Sequence, residues 1–117
     1  MFAAQHKLSN LTVIVDQNHI QGFGRTDEVI DMEPMADKWR SFNFEVYEVE
    51  DGNDFRELEQ AFKAIDKSPS SMPKCMVAKT TKGSGVSYME DTVEWHYWPM
   101  DDEHYQTALE EIKQKYA

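Results

Sequence analysis

Apolar positions fall into short runs that alternate with amphipathic stretches. Leu11-Thr12-Val13-Ile14-Val15 is a β-rich run closed by polar residues, and it predicts a buried strand. Met35, Ala36, Trp39 and Phe42 then recur at helical offsets, with Pro34 suited to the first turn. Phe44 to Val49 reads as a second strand, followed by the turn Asp51-Gly52-Asn53-Asp54. Asp54 is expected to cap a helix, with Glu57 as its capping-box partner. That helix runs to Ile65, and Phe55, Leu58, Ala61, Phe62 and Ile65 are expected on its inward face. Ser68 to Pro73 breaks it, and Lys74 to Lys79 is a third strand. Thr80 to Met100 is a long irregular stretch. Tyr105 to Tyr116 predicts a closing amphipathic helix with Ala108, Leu109 and Ile112 inward.

Strands alternating with helices argue for an α/β fold, a parallel sheet with helices on both faces, in one domain over residues 1–117. In such sheets ligands gather outside the carboxyl ends of the strands. The two polar, glycine-bearing segments that leave strand ends, Asp16 to Asp27 and Thr80 to Met100, are therefore expected to form one site. A three-stranded parallel sheet would leave two exposed edges. Met1 to Leu8 reads as the end of a helix with no capping signal before it, so the chain reads as if it begins inside a larger domain.

The chain has 117 residues, 40% hydrophobic and 29% charged, enough for one small core. Its net charge of −10 would repel nucleic acid phosphates, so no nucleic acid partner is expected. No apolar run reaches membrane-spanning length and no secretory leader is visible, which suggests a cytoplasmic address and no membrane partner. The single cysteine, Cys75, lies in the apolar run to Ala78 and reads as a buried strand residue rather than a nucleophile. His6, His19 and His104 lack metal-ligand spacing, and His104 is expected to face solvent. Lys79 reads as structural or exposed. Glu48 to Asp51 and Asp101 to Glu103 read as a solvated turn and as first-turn helix charges.

Several collinear motifs carry a specific resemblance. They are Ala4-Gln5-His6-Lys7-Leu8-Ser9-Asn10-Leu11, Val13-Ile14-Val15-Asp16-Gln17-Asn18-His19-Ile20, Glu33 to Trp39, and Ala61-Phe62. Ala78-Lys79-Thr80-Thr81-Lys82-Gly83-Ser84-Gly85-Val86-Ser87, Met89-Glu90-Asp91 and Trp95-His96 before Pro99 complete the set. Together they cover nearly the whole chain, which resembles transketolases, most closely the N-terminal subunits of split bacterial and archaeal ones.

The resemblance implies a partial thiamine diphosphate-binding fold, the C-terminal half of that domain. In the family, Mg²⁺ bridges the protein and the cofactor diphosphate through a Gly-Asp-Gly motif, an asparagine about thirty residues on, and a backbone carbonyl. Such hard oxygen donors suit Mg²⁺. Asn18 matches the asparagine and Ile20 the carbonyl; read from the residues alone, Asn18 reads first as a turn-shaping residue. Lys82 matches a lysine near the cofactor phosphates, and His96 a histidine near the diphosphate and the sugar. His96 is thus the expected catalytic residue, with proton chemistry suited to neutral pH.

No Gly-Asp-Gly occurs in the 117 residues. The resemblance therefore implies an enzyme part that transfers a two-carbon ketol unit between sugar phosphates only with the remaining transketolase segments or subunits, as an oligomer, and is inactive alone. A non-catalytic partner-binding module derived from the same fold is the alternative. Two positions depart from the family pattern. Gly52-Asn53 stands where Gly-His is usual, and Trp98 where lysine is common, which leaves the sugar open.

Overall fold

The computed structural model describes residues 1–115 and 117; Tyr116, expected to end the closing helix, lies outside the described residues. In chain order the elements are α1 (Phe2–Gln5), β1 (Thr12–Gln17), β2 (Ile20–Gln21), β3 (Gly24–Arg25) and α2 (Thr26–Val29). They continue with α3 (Met35–Ser41), β4 (Glu45–Val49), α4 (Phe55–Lys67), β5 (Lys74–Lys79) and α5 (Asp102–Lys115). Two compact units result. One contains residues 1–17 and 32–80, the other 18–31 and 81–117.

The first unit is a parallel sheet in the order β1-β5-β4. β5 is central because it alone is apolar on both faces. Cys75, Met76, Val77 and Ala78 are all buried, as a strand covered from both sides requires. Alternation along the strand divides them. Cys75 and Val77 pack with Ala36 and Phe44 on one face, where Val13, Val15 and Trp39 join them. Met76 and Ala78 pack with Val49 and Ile65 on the other, against Leu58 and Ala61. The helices therefore lie on both faces. The chain steps past the β5 position from β1 to β4 and then steps back, and crossovers of one hand place the helices of opposite steps on opposite sides.

Helix α4 starts as expected. The Asp54 carboxylate accepts the Arg56 N–H at 2.7 Å. Glu57, however, does not close a capping box on Asp54; it reaches further back and accepts the Asp51 N–H at 2.9 Å. The turn is held instead by the Asp51 carboxylate, which accepts the Asn53 N–H at 2.9 Å. Phe55 is 82% exposed rather than inward, since it stands in the first turn, ahead of the packed stripe Leu58, Ala61 and Ile65. Phe62, on the flank of that stripe, is also exposed.

Three charged or thiol groups of this unit have structural roles. Burial pushes the Cys75 thiol up to about 11, so it stays protonated near neutral pH and is no nucleophile. Lys74 is buried, and its Nζ donates to the carbonyls of Ser9 (2.9 Å) and Ser70 (3.0 Å). Lys79 pairs with Glu50 at 2.6 Å.

The second unit holds the antiparallel β2–β3 hairpin, α2, the irregular stretch with a 3₁₀ turn at Glu94–His96, and α5. Helix α5 begins at Asp102, earlier than expected, because Asp101 caps it by accepting the His104 N–H at 2.8 Å. Ala108 is buried as expected, but Ile112 is exposed. Glu111 ties the helix to the irregular stretch, accepting the Ser87 N–H at 2.6 Å and the Ser87 hydroxyl at 2.5 Å.

Those two bonds, the hydroxyl first, hold the Glu111 carboxyl below its ordinary value. A folded value below the unfolded one means the tie is fully present above the ordinary glutamate range and is lost as pH falls through the depressed folded value. Hydrogen-exchange protection at Ser87 should therefore fall on acidification, and Glu111→Gln should flatten that response. An unchanged acid response in the variant would assign it to another group.

Candidate functional site

The site residues named from the sequence sit on two segments of the second unit. Asn18 follows β1 directly in the chain, and its side-chain oxygen accepts the Ile20 N–H at 2.9 Å. This is an Asx turn, with His19 in the left-handed region at φ 60° between the two. Asn18 does shape the turn. An amide oxygen has two acceptor positions, however, and the Ile20 bond uses one. Ile20 is buried, and the His19 carbonyl accepts the Thr26 N–H at 2.9 Å.

Lys82 is half-buried, and its ammonium donates to the Thr92 carbonyl at 3.2 Å. That bond uses one of the ammonium's three protons. Its own carbonyl accepts the Asp91 N–H at 3.0 Å. Gly83 lets the loop return at this point. It has φ +72°, and a Cβ there would lie 2.5 Å from the Met89 carbonyl oxygen, so both conformation and space demand glycine.

His96 is exposed in the 3₁₀ turn, its N–H donating to the Val93 carbonyl at 2.9 Å and its ring lying 4.8 Å from that of Tyr97. Trp95 is packing, as expected, with its ring 4.9 Å from Tyr88 and 5.0 Å from His104. His104 does face solvent in part, but it also has aromatic neighbours. It is half-exposed, wedged between those aromatic rings, with Nδ1 2.6 Å from Asp101. Trp98, at the departure from the family pattern, is 61% exposed, its ring 6.1 Å from that of Trp95 at an interplanar angle of 67°.

Two contacts bring the segments together. Arg25 faces Ile20 across the hairpin ladder, and its Nη1 reaches both carboxylate oxygens of Asp91 at 3.1 and 3.2 Å. The Tyr97 hydroxyl lies against Gly22, where any Cβ would collide with it. The hairpin carrying Asn18 and Ile20 is thereby joined to the stretch carrying Lys82 and His96. The sequence assigned no role to Arg25, Gly22 or Tyr97, and Asp91 entered only as part of a motif. One signal was present: Arg25 is the only lysine or arginine between Lys7 and Lys38, set in a polar turn.

The donors fit Mg²⁺ in kind. A carboxamide oxygen and a backbone carbonyl are hard oxygens, and a lysine suits a diphosphate. They do not fit in number. Among the described residues no three His, Cys, Asp or Glu side chains converge as a metal cluster, and two oxygens fall short of an octahedral shell. No helix of the described residues is long and apolar enough to cross a membrane.

A family model described as "Transketolase, thiamine diphosphate binding domain" matches residues 1–116. The chain is 36% identical over 115 residues to an apulose-4-phosphate transketolase subunit of Phocaeicola vulgatus, covering 98% of this chain and 40% of that protein. It is 31% identical over 117 residues to a 6-deoxy-6-sulfo-D-fructose transketolase subunit of a Clostridium species, covering all of this chain and 42% of that one. The crystal structure of a Campylobacter jejuni transketolase superposes with a TM-score of 0.83 at 26% identity, over 96% of this chain and 17% of that one. The chain thus spans well under half the length of these curated relatives.

Proposed function

The chain belongs to the transketolase thiamine diphosphate-binding domain family, and from that premise we propose that it supplies one side of a thiamine diphosphate site in a transketolase completed by other segments or subunits. The observation that carries this reading is that Asn18, Ile20, Lys82 and His96 share one compact unit and lie on two segments joined by Arg25–Asp91 and Gly22–Tyr97.

When bound, thiamine diphosphate supplies the carbon nucleophile that carries a two-carbon ketol unit from one sugar phosphate to another. This chain's residues have simpler tasks. The Asn18 side-chain oxygen and the Ile20 carbonyl would be this chain's donors to Mg²⁺. Lys82 sets a cation against the diphosphate, which a chain of net charge −10 would otherwise repel. His96, exposed in its turn, would donate a hydrogen bond to a sugar hydroxyl and serve in its proton transfer. Two protein oxygens leave most of the metal shell unfilled, so the isolated chain binds the cofactor poorly and is inactive. Its working form is an assembly, and a cytoplasmic setting suits its lone, protonated cysteine.

Calorimetric titration with Mg²⁺ and thiamine diphosphate tests this. The chain alone should show no saturable binding, whereas the chain joined to a transketolase segment bearing Gly-Asp-Gly should bind saturably. Tight binding by the chain alone would overturn the divided site. Failure of the joined protein to bind would overturn the site itself.

A further inference from the structure

The turn that presents Asn18 and Ile20 rests on very little. Strands β2 and β3 have two residues each, paired only as Ile20↔Arg25 and Gln21↔Gly24. An isolated ladder of that length does not hold itself in water. Three features fix its geometry. The Asx bond from the Ile20 N–H to Asn18 shapes one strand, and the Thr26 N–H to His19 carbonyl bond closes the ladder at 2.9 Å. The Arg25–Asp91 pair ties the other strand down.

Asp91 is in turn well fixed. It lies in the left-handed region at φ 53°, and its N–H donates to the Lys82 carbonyl at 3.0 Å. The next residue, Thr92, receives the Lys82 ammonium on its carbonyl and donates its hydroxyl to the Met89 carbonyl at 3.0 Å. A continuous series of contacts therefore runs from Asn18 through Ile20, Arg25, Asp91 and Thr92 to Lys82. Its middle link is one ion pair between side chains 40% and 57% exposed.

We propose that Arg25 and Asp91 are positioning residues that set the Asn18–Ile20 oxygen pair at a fixed distance from the Lys82 ammonium, so that one Mg²⁺–diphosphate unit meets both. This rests on the site reading above. An exposed ion pair adds little to global stability. Its effect here is geometric, because the ladder it anchors is too short to keep its own register. Neither residue is among the donors assigned to the metal or the diphosphate; Arg25 faces Ile20 and the Asp91 N–H bonds the Lys82 carbonyl, so both would act through those two residues.

Two measurements test the pair. In the chain itself, Arg25→Ala and Asp91→Ala should raise amide exchange over residues 20–25 while leaving the thermal midpoint and the exchange of β5 unchanged. In the completed transketolase, each should raise the Mg²⁺ concentration that half-saturates thiamine diphosphate binding by roughly tenfold, the lower end of what outer-sphere partners of a metal ligand contribute. The exchanged pair Arg25→Asp with Asp91→Arg should restore both readouts towards wild type. Asn18→Ala in the same titration separates the two ideas. If it abolishes Mg²⁺-dependent binding while Arg25→Ala and Asp91→Ala behave as wild type, the positioning role is wrong and the site stands. If Asn18→Ala has no effect, the site reading is lost and the positioning role with it. A general loss of folding in both single variants, not rescued by the exchanged pair, would also overturn the proposal.

Discussion

Asn18→Ala is expected to weaken Mg²⁺-supported binding of thiamine diphosphate to the completed transketolase by at least about a hundredfold, because even outer-sphere partners of metal ligands are worth roughly 10–100-fold. The change has two consequences. On the proposed reading it would remove one of the two hard oxygens assigned to the metal, and it releases the Ile20 N–H, whose 2.9 Å bond to Asn18 shapes the turn. Asn18→Asp separates them. It keeps an oxygen for the turn and for the metal, so binding should largely survive, whereas Asn18→Ser shortens the reach and should not retain it. Equal loss in the aspartate and alanine variants would mean that the amide nitrogen, rather than the oxygen, makes the essential contact. Titration of Mg²⁺ at fixed cofactor reads all three.

The second large effect lies in the sheet. Met76 is fully buried in the middle of the central strand, packed with Val49, Ile65 and Ala78 and flanked by Leu58 and Ala61. Met76→Ala should destabilise the chain by about 2–5 kcal/mol, the lost transfer energy plus the cavity left behind. That is a large share of the roughly 5–15 kcal/mol that holds a small protein folded. Urea unfolding followed by far-ultraviolet circular dichroism should show a lower midpoint at constant slope. Phe55→Ala is the matched control, for Phe55 is 82% exposed although it belongs to the same apolar pattern. A Met76→Ala loss no larger than that of Phe55→Ala would mean that this side of the sheet is loosely packed.

The contrast between Met76 and Phe55 shows where reading a sequence works. Lys74 to Lys79 is a strand at the expected residues because a run apolar on both faces has one low-energy destination, the middle of a covered sheet. The capping by Asp54 is equally local, a carboxylate and an N–H two residues on. Phe55 carried the helical period and still ended in solvent, because period selects a face and does not say how far the neighbouring sheet extends. Glu57 likewise had the right spacing for a capping box, but the Asp51 N–H competed for it and won.

What the amino-acid order determined by itself was whatever depends on neighbours a few residues apart: the three strands of the parallel sheet, the capped helix, the turn at Asn18, and through its collinear motifs the family. Only the tertiary structure decided which distant groups meet. It set β5 between β1 and β4, lodged His104 among aromatic rings, and joined Arg25 to Asp91 across 66 positions of chain. The physical reason is that local geometry is limited by sterics and hydrogen bonds within a turn, whereas a long-range pair has many equivalent candidates. Twenty-two acidic side chains compete for Arg25, and only the folded path of the backbone selects one.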